Sequence, residues 1–331
     1  MPEPWTEEQA RWVVQRAATL AKAGAEPVGP IVLPTGRFFP DSFDRTPQAI
    51  GKLFNRMKEH VGLDDVETEV VLVDQEAGAV VSSCSGGSCG SGGGVKVLAG
   101  ERIAADGDGY TIAIATAEVA HPVVLTTVMA RSLGLVFLDV SGIARRFGKA
   151  EAGSGADLAA SMLGLGVLVA NGSGIEVKGC GGIKVHAATS LTAPQAALAL
   201  ALVVEREVAR GRAEPQGLEA GLDVVARASF APARAMFRAN RDVIRRLDDA
   251  PDALERGDFR LKSGLGLGER VLTTLGFKKA PVDPIAELER DLAAGRATRK
   301  AMDPAKKARL AELEALYDEV RSEPPGGSPT A

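Results

Sequence analysis

Apolar positions recur at helical spacing from the start of the chain. Trp12, Val13, Ala17 and Leu20 share one face, behind a capping Thr6 and the acidic first-turn residues Glu7 and Glu8. A helix is therefore predicted to begin after Thr6, and the Gly/Pro-rich passage from Gly24 to Pro34 ends it. Thr46 followed by Pro47 opens a second helix, with Ile50, Leu53, Phe54 and Met57 in register and Gly62 as its stop. The pattern then shortens to that of strands, over Val66–Asp74, Val95–Ala99 and Tyr110–Val119. Between the first two lies SSCSGGSCGSGGG (82–94), which excludes regular structure and predicts an irregular loop with its thiols near the surface.

Two segments are apolar nearly all round, from about Pro122 to Leu138 and from about Ala156 to Ala170, where Asn171-Gly172 ends the second. Such helices belong in the centre, so they are predicted to pack together with Leu135 and Leu163 buried. The longest apolar stretches lie near Val123–Val140, which contains Arg131 and Asp139, and Leu158–Ala170, about 13 residues and short of the roughly 20 that span a bilayer. Val177–Ala187 suits a hairpin around Gly181-Gly182. From Thr192 the pattern is helical: one helix opens at Ala193-Pro194, and others fit Leu218–Arg227, Ala231–Leu247, Ala250–Glu255, Leu265–Leu275, Ile285–Ala294 and Pro304–Val320. Strands early and helices late define an α+β fold, a small N-terminal β-sheet with helices followed by a mostly helical C-terminal half. The expected organisation is a core over 1–258, with strands about 66–119, central helices about 122–170 and helices 192–258. A helical extension over 259–321 and a disordered tail over 322–331 follow.

Composition narrows the function. The chain has 331 residues, 45% of them apolar but only 4% aromatic, so Leu, Val and Ala must do the packing. A net charge of −4 argues against binding nucleic acid or an acidic membrane, which needs clustered Lys and Arg. Three Cys make no disulfide framework, and three His leave little for a His-rich metal site. The first ten residues, MPEPWTEEQA, lack the basic start and apolar stretch of a signal peptide, so the expected compartment is the cytoplasm.

Three pieces carry a resemblance: PTGRFFPDSFDRTPQAIGKLFNRM, HPVVLTTVMARSLGLVFLDVSG, and GADLAASMLGLGVLVANGS with the helix that follows it. Over about Leu33–Ala253 the chain resembles an uncharacterised bacterial family with a zinc-metallopeptidase-like core. In that family the second piece looks like a helix bearing HExxH, and the third like H-E-x-x-T-D-L before L-G-x-G-x-x-x-A-N. An HExxH site sets two His on one helix face to bind zinc, with the Glu between them as general base and a third ligand from a later helix. The resemblance lays those positions on Arg131, Ser132 and Leu135, and the third ligand on Gly153, four residues before Asp157. A permanent cation, a hydroxyl, a hydrocarbon and a glycine do not bind zinc. The resemblance thus implies the scaffold and argues against the activity.

Other constellations are weaker. Glu118 and His121 look like a half-lost HExxH, but they fall at a strand end before Pro122, where His121 reads as a helix-capping residue. Cys84 and Cys89 form C-x4-C, which is not zinc-ribbon or thioredoxin spacing, and Cys180 alone cannot complete a four-thiolate cluster. They remain a candidate redox pair beside the plainer reading of two free thiols. The Gly-rich run before Lys96 lacks the Ser/Thr and helix of a phosphate loop. Arg131 needs Asp157 as partner if buried, or else extends to solvent. His60 and His186 show no co-ligands, and Arg206, Arg210, Arg212, Arg245 and Arg246 read as solvated faces.

The leading expectation is a non-catalytic, metallopeptidase-like protein that binds an unidentified protein or small molecule, without a cofactor, nucleic acid or membrane. A redox or metal-responsive protein using Cys84 and Cys89 is the first alternative. A hydrolase with an unrecognised site, Ser132 being a nucleophile in want of a base, is the second.

Overall fold

The computed structural model describes residues 4–73, 96–97, 103–106, 109–179 and 182–262. The first helix, α1 (Glu7–Lys22), starts as its sequence dictates. Thr6 Oγ1 accepts from Gln9 N–H at 3.2 Å while Gln9 Oε1 accepts from Thr6 N–H at 2.9 Å. In α2 (Pro47–Val61) Thr46 caps Ala49 N–H and Pro47 fills the first position, whose amide would have gone unpaired.

The strands β1 (Glu67–Val73), β2 (Lys96–Val97), β3 (Ile103–Asp106) and β4 (Gly109–Ala115) form one sheet in the order β1-β4-β3-β2. β1 runs parallel to β4, Glu67 facing Gly109, and the other pairs are antiparallel. β3 was not anticipated: IAAD is too short to show an alternation. The last expected strand is also cut short, because Thr116–Val119 turns into a short helix, α3. Glu118 reaches back to accept from Ala115 N–H at 3.0 Å, and this local bond ends the extended run.

The long helix α4 (Pro122–Val140) packs against α5 (Gly148–Ala160), which continues through a wide turn (Ser161–Leu165) into α6 (Gly166–Gly172). The second central segment thus begins eight residues earlier than its pattern suggested, because Gly and Ser among 148–155 masked a buried helix. It is also broken, at Gly164, whose φ of +100° only glycine tolerates readily. The carbonyl freed there accepts from Val32 N–H at 2.9 Å, which seats the 25–33 segment on the core. By length and composition alone Pro122–Val140 and Gly148–Gly172 are long enough to cross a membrane, a correction to the 13-residue estimate. In this fold 89% of the most apolar 18-residue stretch of the second is buried inside the protein.

β5 (Ile175–Gly179) and β6 (Gly182–His186) make the expected hairpin, and α7 (Ala193–Ala209) follows. Every residue of α7 from Ala196 to Glu207 is buried, so this helix is the axis on which α1, α6, α8 (Val224–Ala239) and α9 (Arg241–Asp249) pack. Residues 218–222 are turns and α8 starts only at Val224. It carries Pro232 inside it and ends at Asn240, where one helix had been expected over 231–247. Asn240 decides that break: its side chain bonds Met236 O and both backbone groups of Lys262, at 2.7 Å each. The short α10 (Pro251–Glu255) closes on α1. Small sheet and many helices together are an α+β fold. The expected extension and tail, from residue 263 on, lie outside the described residues.

Candidate functional site

Close approach of α4 and α5 creates the site. Gly134 makes it tolerable: a Cβ there would lie 2.1 Å from Ala156 O. One turn earlier on α4, Arg131 reaches Asp157 on α5, with Nε 2.7 Å from Oδ1. That contact is an ion pair without an aligned hydrogen bond, since Oδ1 has no hydrogen-bond donor aimed at it. The other guanidinium nitrogens donate to Ala188 O at 2.8 Å and to Ser190 Oγ at 2.9 Å. Asp157 Oδ2 accepts from Ser190 N–H at 2.6 Å and Leu191 N–H at 2.9 Å. The pair thus ties both central helices to the strap 187–191 that leads into α7.

Asp157 is wholly buried. Burial pushes its carboxyl above the ordinary range, against the pull of Arg131 and the two amides. The strongest compensation comes from Arg131, so the two residues act as one unit.

Of the positions picked out by sequence, Arg131, Gly153 and Asp157 meet directly. A Cβ on Gly153 would lie 2.3 Å from Ser190 Oγ and 3.3 Å from Arg131 Nη2, so the space for a longer side chain is taken. Ser132 and Leu135 line a cleft of about 390 Å³ beside Arg131, with Glu118, Val124 and Val128. Ser132 Oγ donates back to Val128 O at 2.9 Å, along its own helix. Leu135 is only half-buried, contrary to expectation, because its flank of α4 faces this cleft; Leu163 is buried as predicted. These residues do not fit a metal ion: a guanidinium fills the centre, and among the described residues no group of three His, Cys, Asp or Glu stands within ligand reach of one ion.

The remaining candidates separate. His121 heads α4 but its ring makes no capping hydrogen bond, so only its place, not its capping role, holds. His60 Nε2 sits 3.1 Å from Phe38 O, and its ring meets those of Phe38 and Phe39 edge-on. Cys84, Cys89 and Cys180 lie outside the described residues.

Of the arginines expected on solvated faces, Arg210, Arg212 and Arg245 are exposed, Arg246 is half-buried, and Arg206 is the correction. Arg206 is only 3% exposed; Nε and Nη2 reach Asp248 Oδ1 at 2.9 and 2.7 Å, and Nη1 donates to Ala25 O. Arg210 joins Asp248 and Glu26, and Arg212 bonds Glu207 and Pro27 O. Arg246 donates to Asp258 O, while Arg245 remains exposed. The cause is the central place of α7: up to Glu207 even its charged residues are covered by neighbours, while Val208 to Arg210 are exposed.

Sequence reasoning missed Ser190 and the strap amides, because nothing local marks residues 33 and 34 positions away as partners of Asp157. No protein-family model, no curated protein and no solved structure matches the chain.

Proposed function

We propose that this chain is a non-catalytic binding protein on a metallopeptidase-like scaffold, in which an ion pair stands where the scaffold's metal would be. The observation that carries the reading is the Arg131 guanidinium, held by Asp157, Ala188 and Ser190. A fixed cation there repels a divalent ion and cannot serve as its ligand. Zinc hydrolysis depends on a metal-bound water whose pKa has fallen to about 7, and Arg131 supplies no such water. What remains is a cleft with apolar walls, Glu118 and Arg131, suited to holding a protein segment or small molecule.

The test joins elemental analysis of the purified full chain to a peptide-digestion assay with and without chelator. The expected result is no stoichiometric zinc and no chelator-sensitive cleavage. Arg131→His should restore neither, because Ser132, Leu135 and Gly153 remain. Chelator-sensitive cleavage by the unmodified protein would overturn the proposal.

A further inference from the structure

A second cleft, of about 570 Å³, opens where the 30–38 segment meets the 215–223 turn. Both outer sequence pieces singled out above contribute to it: Pro34–Phe38 from one, Asn171 from the other. Its inner wall is apolar, with Leu33 and Phe38 buried and Val123 beside them. Asn171 is itself buried and builds the opposite wall: Nδ2 donates to Gly221 O and Oδ1 accepts from Asp223 N–H, both at 2.9 Å. Pro30, Pro34 and Pro215 each lock their own φ, which lowers the ordering a ligand must impose on the lining chain.

Two opposite charges stand at this cleft. Arg37 has no anionic partner among the described residues; its guanidinium lies against the Phe38 ring, 5.8 Å from the centroid, which holds it at the cleft. Asp223 receives its bond through its backbone amide, and its carboxylate makes no hydrogen bond or ion pair among the described residues. At Arg206, Arg210 and Asp248, by contrast, Arg and Asp satisfy each other. Here one cation and one anion are left unshared around a cleft of ligand size with apolar walls.

We infer that this cleft binds a small zwitterion of dipeptide size, with Arg37 taking its carboxylate, Asp223 its ammonium, and Leu33, Phe38 and Val123 an apolar side chain. The inference is independent of the reading of the Arg131 site, since it involves no cleavage and none of that site's residues.

Calorimetric titration and thermal-shift measurements on the full chain would use Leu-Leu, Leu-Phe and Val-Leu with free termini. The same peptides N-acetylated or C-amidated are the comparison. Free-terminus peptides are expected to bind and raise the melting temperature. Losing either terminal charge should weaken binding about tenfold or more, as should Arg37→Gln or Asp223→Asn, since each removes a charge-assisted hydrogen bond. Both residues are exposed, so the variants should melt like the unmodified protein without ligand. No binding by any of the three peptides at millimolar concentration would overturn the proposal. So would equal binding of blocked peptides, or unchanged binding by both variants.

Discussion

Arg131 shows how much one residue can carry. It is a cation in an apolar helix, and that alone demands a partner; Asp157 on α5 is that partner, with 2.7 Å between them. Removing the cation leaves a buried carboxylate with only the two strap amides to compensate it. Arg131→Met is therefore expected to cost about 3–5 kcal/mol near neutral pH. The cost should shrink in acid. An acid whose folded pKa is raised is held more easily in its protonated form, so stability is retained below its unfolded value, about 3.9. It is lost as pH rises towards the folded value. Burial already raises Asp157, and without Arg131 it is raised further. Urea denaturation of wild type and variant at about pH 4 and about pH 8 checks this; an equal cost at both would show that Asp157 is not the cause. The amides of Ser190 and Leu191, which share the load, had no signal in sequence because backbone donors look alike everywhere.

At the scale of elements, capping chemistry was readable and interruptions were not. Thr6, Thr46 and Pro47 begin their helices by local bonds, and those starts agree with the structure. The break at Gly164 and the end of α8 at Asn240 are set by contacts with Val32 and Lys262, far along the chain. Two glycines in helices separate these effects experimentally. Gly134→Ala would drive a Cβ into Ala156 O and part α4 from α5, at a cost of about 1–3 kcal/mol or more. Gly51→Ala, in α2 with open space around it, should instead stabilise by roughly 0.5–1 kcal/mol through helix propensity alone. Thermal melts of both variants should move in opposite directions.

Over the whole molecule, α7 is the organising element. Three consecutive charges near its end turn to partners in different parts of the fold: Glu205 to Arg234 and Arg238 on α8, Arg206 to Asp248 on α9, and Glu207 to Arg212 just beyond α7. Burial alone would raise the Asp248 carboxyl, but Arg210 and Arg206 hold it below its ordinary value. A depressed carboxylate contributes stability above its unfolded pKa, about 3.9, and loses it as pH falls through the folded value. Asp248→Asn is expected to cost about 1–2 kcal/mol at neutral pH, discounted for its partial exposure. It should also flatten the acid limb of the stability curve. Denaturation midpoints between about pH 2 and pH 7 read both effects, and an unchanged acid limb would remove Asp248 from the account.

The linear order of residues was enough for the α+β class, the starts of α1, α2, α4, α7 and α10, and the hairpin. Those features rest on side-chain chemistry and on patterns repeating within a few residues, which a linear reading captures. It took the folded chain to show that Leu135 faces a cleft, that Arg206 is buried, and that Arg37 and Asp223 stand at one opening. In each case the deciding neighbour comes from a distant part of the chain. Burial and charge pairing are properties of such meetings, and no local pattern encodes them.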